Sequence, residues 1–511
     1  MKPLPIGIQT FKTIIEGNYV YIDKTKSIYN LVQNQSGIYF LSRPRRFGKS
    51  LLLSVLEEVF LGNKELFRGL WIYTAEFDWK NHAVIRFDFS KQKAKEPQAL
   101  IRFIKNELEI IAARYKVTLR ETDYYTQFQE LILKLSEKEK VVILIDEYDK
   151  PIIDHLEDTE LAKEMREVMK GFFTILKGND AHIRFLLLTG VSKFSKAGVF
   201  SNLNQLNDIT LRDNYSDLLG ITEEELKECF SEYIKEFAAK EKLSEEALLE
   251  KIRYWYNGYR FSPEGKSVYN PFSTLLLFES KRFQHHWFET GTPEFLVKLI
   301  LEKQYDILEI PLHVDELSFS SYEVDDLSLT PLLLQTGYLT IKDFNADRML
   351  YTLDYPNFEV KRAFLTYFTR KLQKKDFSES ILYSIIDALY ENDIETCLMH
   401  MRKIFTSIDY DLQIPLEKYY QTIFYLIFTM LGLKTTAEVK TNLGRIDAVI
   451  ESKSIYIFEF KMNGSKEEAL KQIKDKKYYE KYLDRKIPIY LIGAEFKERN
   501  IGEYIVEEMK V

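Results

Sequence analysis

Apolar positions along the chain recur with two periods, and where the period changes an element boundary is expected. The stretch "SGIYFLS" (36–42) is apolar nearly throughout and reads as a buried strand, whereas "SLLLSVLEEVFLG" (50–62) repeats at helical spacing and should stop near Gly62. "AVIRFDFS" (83–90) is a strand with a charged interruption, and "EPQALIRFIKNELEIIAARY" (96–115) a helix. Two further runs, "VVILIDEYDKP" (141–151) and "IRFLLLTGVSKF" (183–194), are apolar until polar groups end them, with the helical "LAKEMREVMKGFFTILKG" (161–178) between. Strands apolar on both faces belong to parallel sheets covered by helices on each side. This alternation predicts an α/β layered domain over residues 1–215.

From about 222 the pattern becomes helical and charged, beginning "TEEELKECFSEYIKEFAAKEKLSEEALLEKIRYWYNGY". Gly and Pro punctuate "YNGYRFSPEG" and "FETGTPEFL", which predicts a smaller helical domain over 216–345. "NADRMLYTLDYPNFEVKRAFLTYF" (345–368) is a strand-turn-helix joint opening a connecting segment, 346–409. The last part, 410–511, starts with the long apolar helix "PLEKYYQTIFYLIFTMLG" (415–432) and continues with strands and a lysine-rich helix. No internal repeat of fixed period is visible.

Composition narrows the classes. The 511 residues are too many for one ordinary core, and 45% hydrophobic with 29% charged residues describes a globular chain, with 33 Tyr and 35 Phe. Cys229 and Cys397 fit neither a disulfide framework nor a zinc spacing, and the seven His form no H-x-x-x-H pair, so a reducing cytoplasm is expected. "MKPLPIGIQTF" lacks the apolar core of a signal peptide, and no uninterrupted apolar stretch reaches membrane-spanning length. A formal net charge of −7 excludes a surface that is basic throughout. It leaves room for one basic domain: from Lys434 to Val511 there are 16 Lys plus Arg against 14 Asp plus Glu.

Candidate chemistry gathers first in "LSRPRRFGKS" (41–50). A phosphate-binding loop of the form G-x-x-x-x-G-K-[ST] would have glycine where Arg43 stands. The chemistry requires inward N–H groups at a helix N-terminus, a flexible residue, an ammonium on the β/γ-phosphates and a hydroxyl on Mg2+. Gly48, Lys49 and Ser50 supply these between a strand and a helix; a basic turn that happens to contain GKS is the alternative. Arg46 is a candidate phosphate contact, with a solvated arginine as its ordinary reading. Asp146 ends an apolar strand, where an acid can hold Mg2+ through water, and Glu147 follows it as the carboxylate that orients the attacking water. The competing reading is two acids that merely close a buried strand. At the end of the 183–194 run, Thr189 or Ser192 could reach the γ-phosphate, or simply mark the strand exit.

A second cluster lies in "GRIDAVIESKSIYIFEFKMNG" (444–464), which reads as a hairpin with strands 445–450 and 454–461 around the turn "ESKS". Alternation puts Glu459 and Lys461 on one face, with Asp447 able to face them. Two carboxylates meeting there can hold Mg2+ while a lysine orients water; an acid-lysine pair forming a surface salt bridge is the bland alternative. Glu417 and Gln421 share a helical face before the hairpin, and Gln472 follows it on a helix.

Residues 1–345 resemble the AAA-ATPase-like family of bacterial proteins, through "YVYIDKT" (19–25), "FLSRPRRFGKS" (40–50), "VVILIDEYDKP", "LLLTGVSKFSKAGVFSNLNQLNDIT" (186–210) and "YNGYRF" (256–261). In that family the first glycine is usually missing. Residues 410–511, with Glu on a helix, then Asp, then Glu-x-Lys, then Gln on a helix, resemble the PD-(D/E)XK nuclease superfamily. No proline precedes Asp447, where Ile446 stands.

The resemblances imply a multidomain α/β protein: a P-loop NTPase sandwich (1–215), a helical lid (216–345) for which a winged-helix-like form is open, and a restriction-endonuclease-like α/β domain (410–511). They further imply ATP with Mg2+ or Mn2+ as cofactors, Asp447 and Glu459 as metal ligands, Lys461 as the residue that assists water, and Glu417 and Gln472 in support. The expected activity is an ATPase coupled to a metal-dependent nuclease, with DNA ahead of RNA as substrate, no membrane partner, and a homo-oligomer left open. The alternative is a nucleotide-switched signalling or defence protein whose C-terminal domain binds nucleic acid or protein without cutting.

Overall fold

The computed structural model describes residues 1–33, 37–194, 199–200, 203, 205–287, 299–300, 310, 312–320, 328–371, 379–407, 424, 427–428, 434–441, 444–461, 464–497 and 500–509. The chain divides into two compact units, Met1–Lys303 with Ile310–Val360, and Gln304–Glu309 with Lys361–Val511.

The first unit is built on a parallel five-stranded sheet: β1 (Ile38–Ser42), β2 (Val84–Asp88), β3 (Val141–Asp146), β4 (Ile183–Gly190) and the short β5 (Asn207–Asp208), in the order β2-β3-β4-β1-β5. Every residue of β3 is buried, and β4 is buried except at Arg184, as apolar runs covered on both faces require. Helix Lys49–Phe60 leaves the end of β1 through Gly48, whose φ of 93° places it in the left-handed region that glycine adopts without a Cβ penalty. Leu52, Leu53, Val55 and Leu56 from this helix pack with Leu41, Val142, Leu144 and Leu187 of the sheet. Each such side chain contributes about 1.5–3 kcal/mol on leaving water. Because β4 lies between β1 and β3, the loop after β1 and the acids after β3 emerge at the same sheet edge with the end of β4 between them.

Helices follow in the same unit. Glu223–Cys229 starts at a capping box between Thr222 and Glu225, and Pro271–Ser280 starts at Asn270, whose side chain accepts from the N–H groups of Phe272 and Ser273. An antiparallel three-stranded sheet, β6 (Leu312–Val314), β7 (Thr340–Asn345) and β8 (Leu350–Asp354), is ordered β6-β8-β7.

The second unit holds a mixed five-stranded sheet: β9 (Lys434–Thr441), β10 (Gly444–Glu451), β11 (Ile455–Lys461), β12 (Ile489–Lys497) and β13 (Asn500–Met509), in the order β13-β12-β11-β10-β9. Only β11 and β12 run parallel, and helix Lys466–Asp475 makes the crossover that parallel strands need. Gly493 on β12 permits its close approach, since a Cβ there would lie 2.4 Å from Lys466 O. Against Phe458 and Phe460 of β11 stands Phe424, with ring centroids at 4.7 and 4.8 Å.

Candidate functional site

The loop after β1 turns twice through left-handed backbone, at Arg46 (φ 67°) and at Gly48, and opens on a cavity of about 430 Å3. Gly48, Lys49 and Ser50 line it, as do Arg45, Arg46, Glu147 and Asp149. The Lys49 ammonium is folded back onto its own loop, donating to Arg43 O at 2.9 Å and Pro44 O at 3.0 Å. Burial pulls its pKa down while Glu147, Asp146 and Asp149 pull it up.

Arg43, standing where the strict pattern has glycine, points away from this cavity. Its Nη1 donates to Ser42 O at 2.8 Å and Thr210 O at 2.7 Å, its Nη2 to Tyr215 O at 3.0 Å, and its guanidinium lies 4.1 Å from the centre of the Phe261 ring. Burial pulls this group down to about 9, so it remains charged at neutral pH. The motif's departure from glycine is thus a structural strut behind the loop. Phe47 packs edge-on against Tyr259 and Phe261, so the "YNGYRF" segment backs the loop directly.

Asp146 does not line the cavity. It is buried one layer behind, where its Oδ1 accepts from the Thr189 hydroxyl at 2.8 Å. Thr189 is fully buried and engaged in that bond, and Ser192, also fully buried, presents its backbone N–H to Asp149 Oδ2 at 2.6 Å. Glu147 has a φ of 50°, and burial pushes its carboxyl up, against the pull of Lys49. Asp149 was not singled out from the sequence. It accepts from the N–H groups of Val191 and Ser192, and burial raises its pKa to about 6. It ties the acidic turn to the end of β4. Only the third acid of "IDEYDK" hinted at it, since its partners lie more than forty residues away.

The cavity is also lined by Pro5, Gly7, Ile8 and Gln9 from the N-terminal segment and by Pro271, Phe272 and Leu275 from helix Pro271–Ser280. An adjoining apolar cavity of about 120 Å3 shares Pro5, Ile14, Gly48, Leu51, Pro271 and Leu275 with it. Arg46 is exposed, and its guanidinium lies 4.7 Å over the Phe272 ring.

In the second unit, pairing of β10 with β11 runs from Glu451↔Ile455 to Ala448↔Phe458. One step further stand Asp447 and Glu459, where the Asp447 side chain replaces the ladder by accepting from Phe460 N at 2.7 Å. Lys461, two residues beyond Glu459, shares its face, and its Nζ donates to Glu459 Oε1 at 3.2 Å. Gln472 Nε2 donates to the same oxygen from helix Lys466–Asp475. Glu459 is buried, and among the described residues its Oε2 has no hydrogen-bond partner. Burial first, then the charge of Asp447, push Glu459 well above the usual carboxylate range, against the pull of Lys461. An unpartnered buried carboxylate oxygen is costly alone and suits a divalent cation. Among the described residues no cluster of three or more His, Cys, Asp or Glu could hold a metal. Glu417, the expected supporting acid, and Gln421 lie outside the described residues.

The parallel sheet with its loop and acids is consistent with an AAA-ATPase-like module, and the C-terminal sheet with its Asp, Glu and Lys with a PD-(D/E)XK domain. Comparison with known proteins agrees: residues 5–200 match the family model described as predicted AAA-ATPase, and residues 416–503 match that of the PD-(D/E)XK nuclease superfamily. A protein of Azotobacter chroococcum mcd 1, described as an uncharacterized protein in the vnfD 5'region, is 40% identical over 527 aligned positions covering 99% of each chain. The chain belongs to this AAA-ATPase-like family with a C-terminal PD-(D/E)XK nuclease superfamily domain. Among the described residues no helix is long and apolar enough to cross a membrane.

Proposed function

We propose that this protein binds and hydrolyses ATP in the N-terminal cavity and cleaves nucleic acid, DNA ahead of RNA, with a divalent cation in its C-terminal domain. The nuclease reading is carried by one observation: the partnerless buried Oε2 of Glu459, beside Asp447 and with Lys461 and Gln472 on its other oxygen. Asp447 and Glu459 would hold Mg2+ or Mn2+, which when bound activates water and neutralises phosphate charge. Lys461 would leave Glu459 to orient that water, and Gln472 would keep the glutamate pointed at the site.

In the N-terminal cavity, Lys49 moves from its loop carbonyls to the β/γ-phosphates, with the backbone N–H groups at Gly48–Ser50 cradling them. Ser50 and, through water, Asp146 as oriented by Thr189 would hold Mg2+, which would neutralise phosphate charge, and Glu147 would orient the attacking water. The base fits the apolar end between Pro5–Gln9 and helix Pro271–Ser280.

Full-length protein incubated with Mg2+ or Mn2+ and varied DNA and RNA, with and without ATP, tests the reading. Cleavage that Glu459→Ala abolishes supports it, and binding without cleavage would favour the alternative of a nucleotide-switched binding protein. That alternative draws support from the pairing of Lys461 with Glu459, which occupies the ammonium a nuclease needs.

A further inference from the structure

Four basic side chains line the larger cavity among the described residues: Arg45, Arg46, Lys49 and Lys150. Three are already engaged. Lys49 rests on the carbonyls of Arg43 and Pro44, Lys150 pairs with Asp154 at 3.1 Å, and Arg46 stacks on Phe272. Arg45 differs. It is half-buried, and its guanidinium makes no hydrogen bond or ion pair among the described residues.

Its backbone is nonetheless fixed, because Trp287 Nε1 donates to Arg45 O at 3.3 Å and a Cβ on Gly337 would come within 2.7 Å of the neighbouring Pro44. Arg45 lines the cavity together with Lys49 and Glu147. These two groups mark the end of the cavity where the terminal phosphate and the attacking water would meet. An unpaired cation on a held backbone, sharing the cavity with an ammonium and a carboxylate, suits charge that appears only during reaction.

We propose that Arg45 is a catalytic residue that binds the equatorial oxygens of the γ-phosphoryl group as it transfers, whereas Arg46 contacts the nucleotide outside the reacting centre. The proposal rests on the reading of this cavity as an ATP site. In the step, the water oxygen forms a bond to the γ-phosphorus while the bond from that phosphorus to the β,γ-bridging oxygen breaks. The bridging oxygen keeps the electron pair as part of ADP, inorganic phosphate forms, and the water proton passes to Glu147. Negative charge on the transferring oxygens is met by the planar fork of Arg45, which comes from the same chain and the same loop as Lys49.

The test uses full-length protein with Arg45→Ala, Arg45→Lys and Arg46→Ala. It measures kcat and KM for ATP, and by calorimetry the affinities for ADP and for ADP with aluminium fluoride, which mimics the transferring phosphoryl group. Arg45→Ala should lower kcat roughly a thousandfold or more and weaken the aluminium fluoride complex comparably, with ADP affinity changed less than about threefold. Arg45→Lys should recover little, because an ammonium cannot reproduce the fork. Arg46→Ala should weaken ADP and the aluminium fluoride complex by the same factor. Retained ADP affinity shows that the Arg45→Ala variant is folded. An unchanged aluminium fluoride affinity in Arg45→Ala overturns the proposal, as does loss of ADP affinity in parallel, which would make Arg45 a ground-state contact. A parent protein that binds no ADP at all would overturn the ATP-site reading itself, and the two failures are told apart by that first measurement.

Discussion

Restoring the glycine of the strict phosphate-loop pattern, by Arg43→Gly, should damage the protein. The Arg43 guanidinium is buried, donates to three carbonyls at 2.7–3.0 Å and covers the Phe261 ring. Hydrogen bonds from a charged donor contribute about 1.5–3 kcal/mol each, and a desolvated cation–π contact about 2 kcal/mol. Against this gross gain stands a desolvation cost of several kcal/mol for a buried guanidinium. Truncation removes the donor on the Thr210 carbonyl and one of two on the Tyr215 carbonyl and leaves a void, and mid-loop glycine adds about 0.5–1 kcal/mol of backbone entropy. The net loss is about 3–5 kcal/mol, within the range seen when one partner of a buried charged contact is removed. In a unit of this size that corresponds to a fall in Tm of roughly 4–7 °C. Nucleotide affinity should fall too, because the guanidinium anchors the backbone of the loop that carries Gly48, Lys49 and Ser50. Differential scanning fluorimetry and calorimetry with ATP measure both. A glycine variant as stable as the parent, or one that binds ATP more tightly, would refute the assignment of Arg43 as a strut.

The other predictions concern the two sites and one buried acid. Lys49→Ala should abolish ATP binding in calorimetry, whereas Glu147→Gln should keep binding and slow hydrolysis by about 10²–10⁴-fold; equal rates for mutant and parent would remove Glu147 from the mechanism. Asp447→Ala or Glu459→Ala should each remove cleavage and Mn2+ binding, while Lys461→Ala keeps the metal and loses the rate; metal affinity surviving in both carboxylate variants would exclude the site. Glu359 is fully buried, accepts from Trp287 N and the Ser273 hydroxyl, and is pushed by burial up to about 8. Its folded pKa exceeds its unfolded one, so its neutral form favours the fold below pH 4.5, and that contribution is lost as pH rises towards 8. Glu359→Gln should therefore flatten the pH dependence of thermal stability between those limits and raise Tm at pH 8; an unchanged profile would show that the acid is ionised in the fold.

What was legible in the sequence is what short-range pattern determines. β1, β3 and β4 could be read because a strand covered on both faces must be apolar at every position; β3 stops at Asp146, where its apolar run ends, whereas β4 stops at Gly190, four residues short of the run read over 183–194. The β10–β11 hairpin could be read because alternation with period two fixes which side chains share a face, and this alone puts Glu459 and Lys461 together. The cage of Arg43 could not, because its carbonyls come from Thr210 and Tyr215, about 170 residues away, and a backbone carbonyl leaves no trace in residue identity. Asp149 was missed for the same reason, as its partners are the N–H groups of Val191 and Ser192. Gly493 has no meaning until the pairing of Glu459 with Gly493 is known; only then does the missing Cβ become the gap through which helix Lys466–Asp475 brings Gln472 to Glu459. Even where the motif was legible its geometry was not, since Arg45 and Arg46 are adjacent and chemically identical in the sequence. The left-handed turn at Arg46 and the indole of Trp287 on the Arg45 carbonyl distinguish them, leaving one guanidinium in the cavity that Glu147 also lines and the other on Phe272.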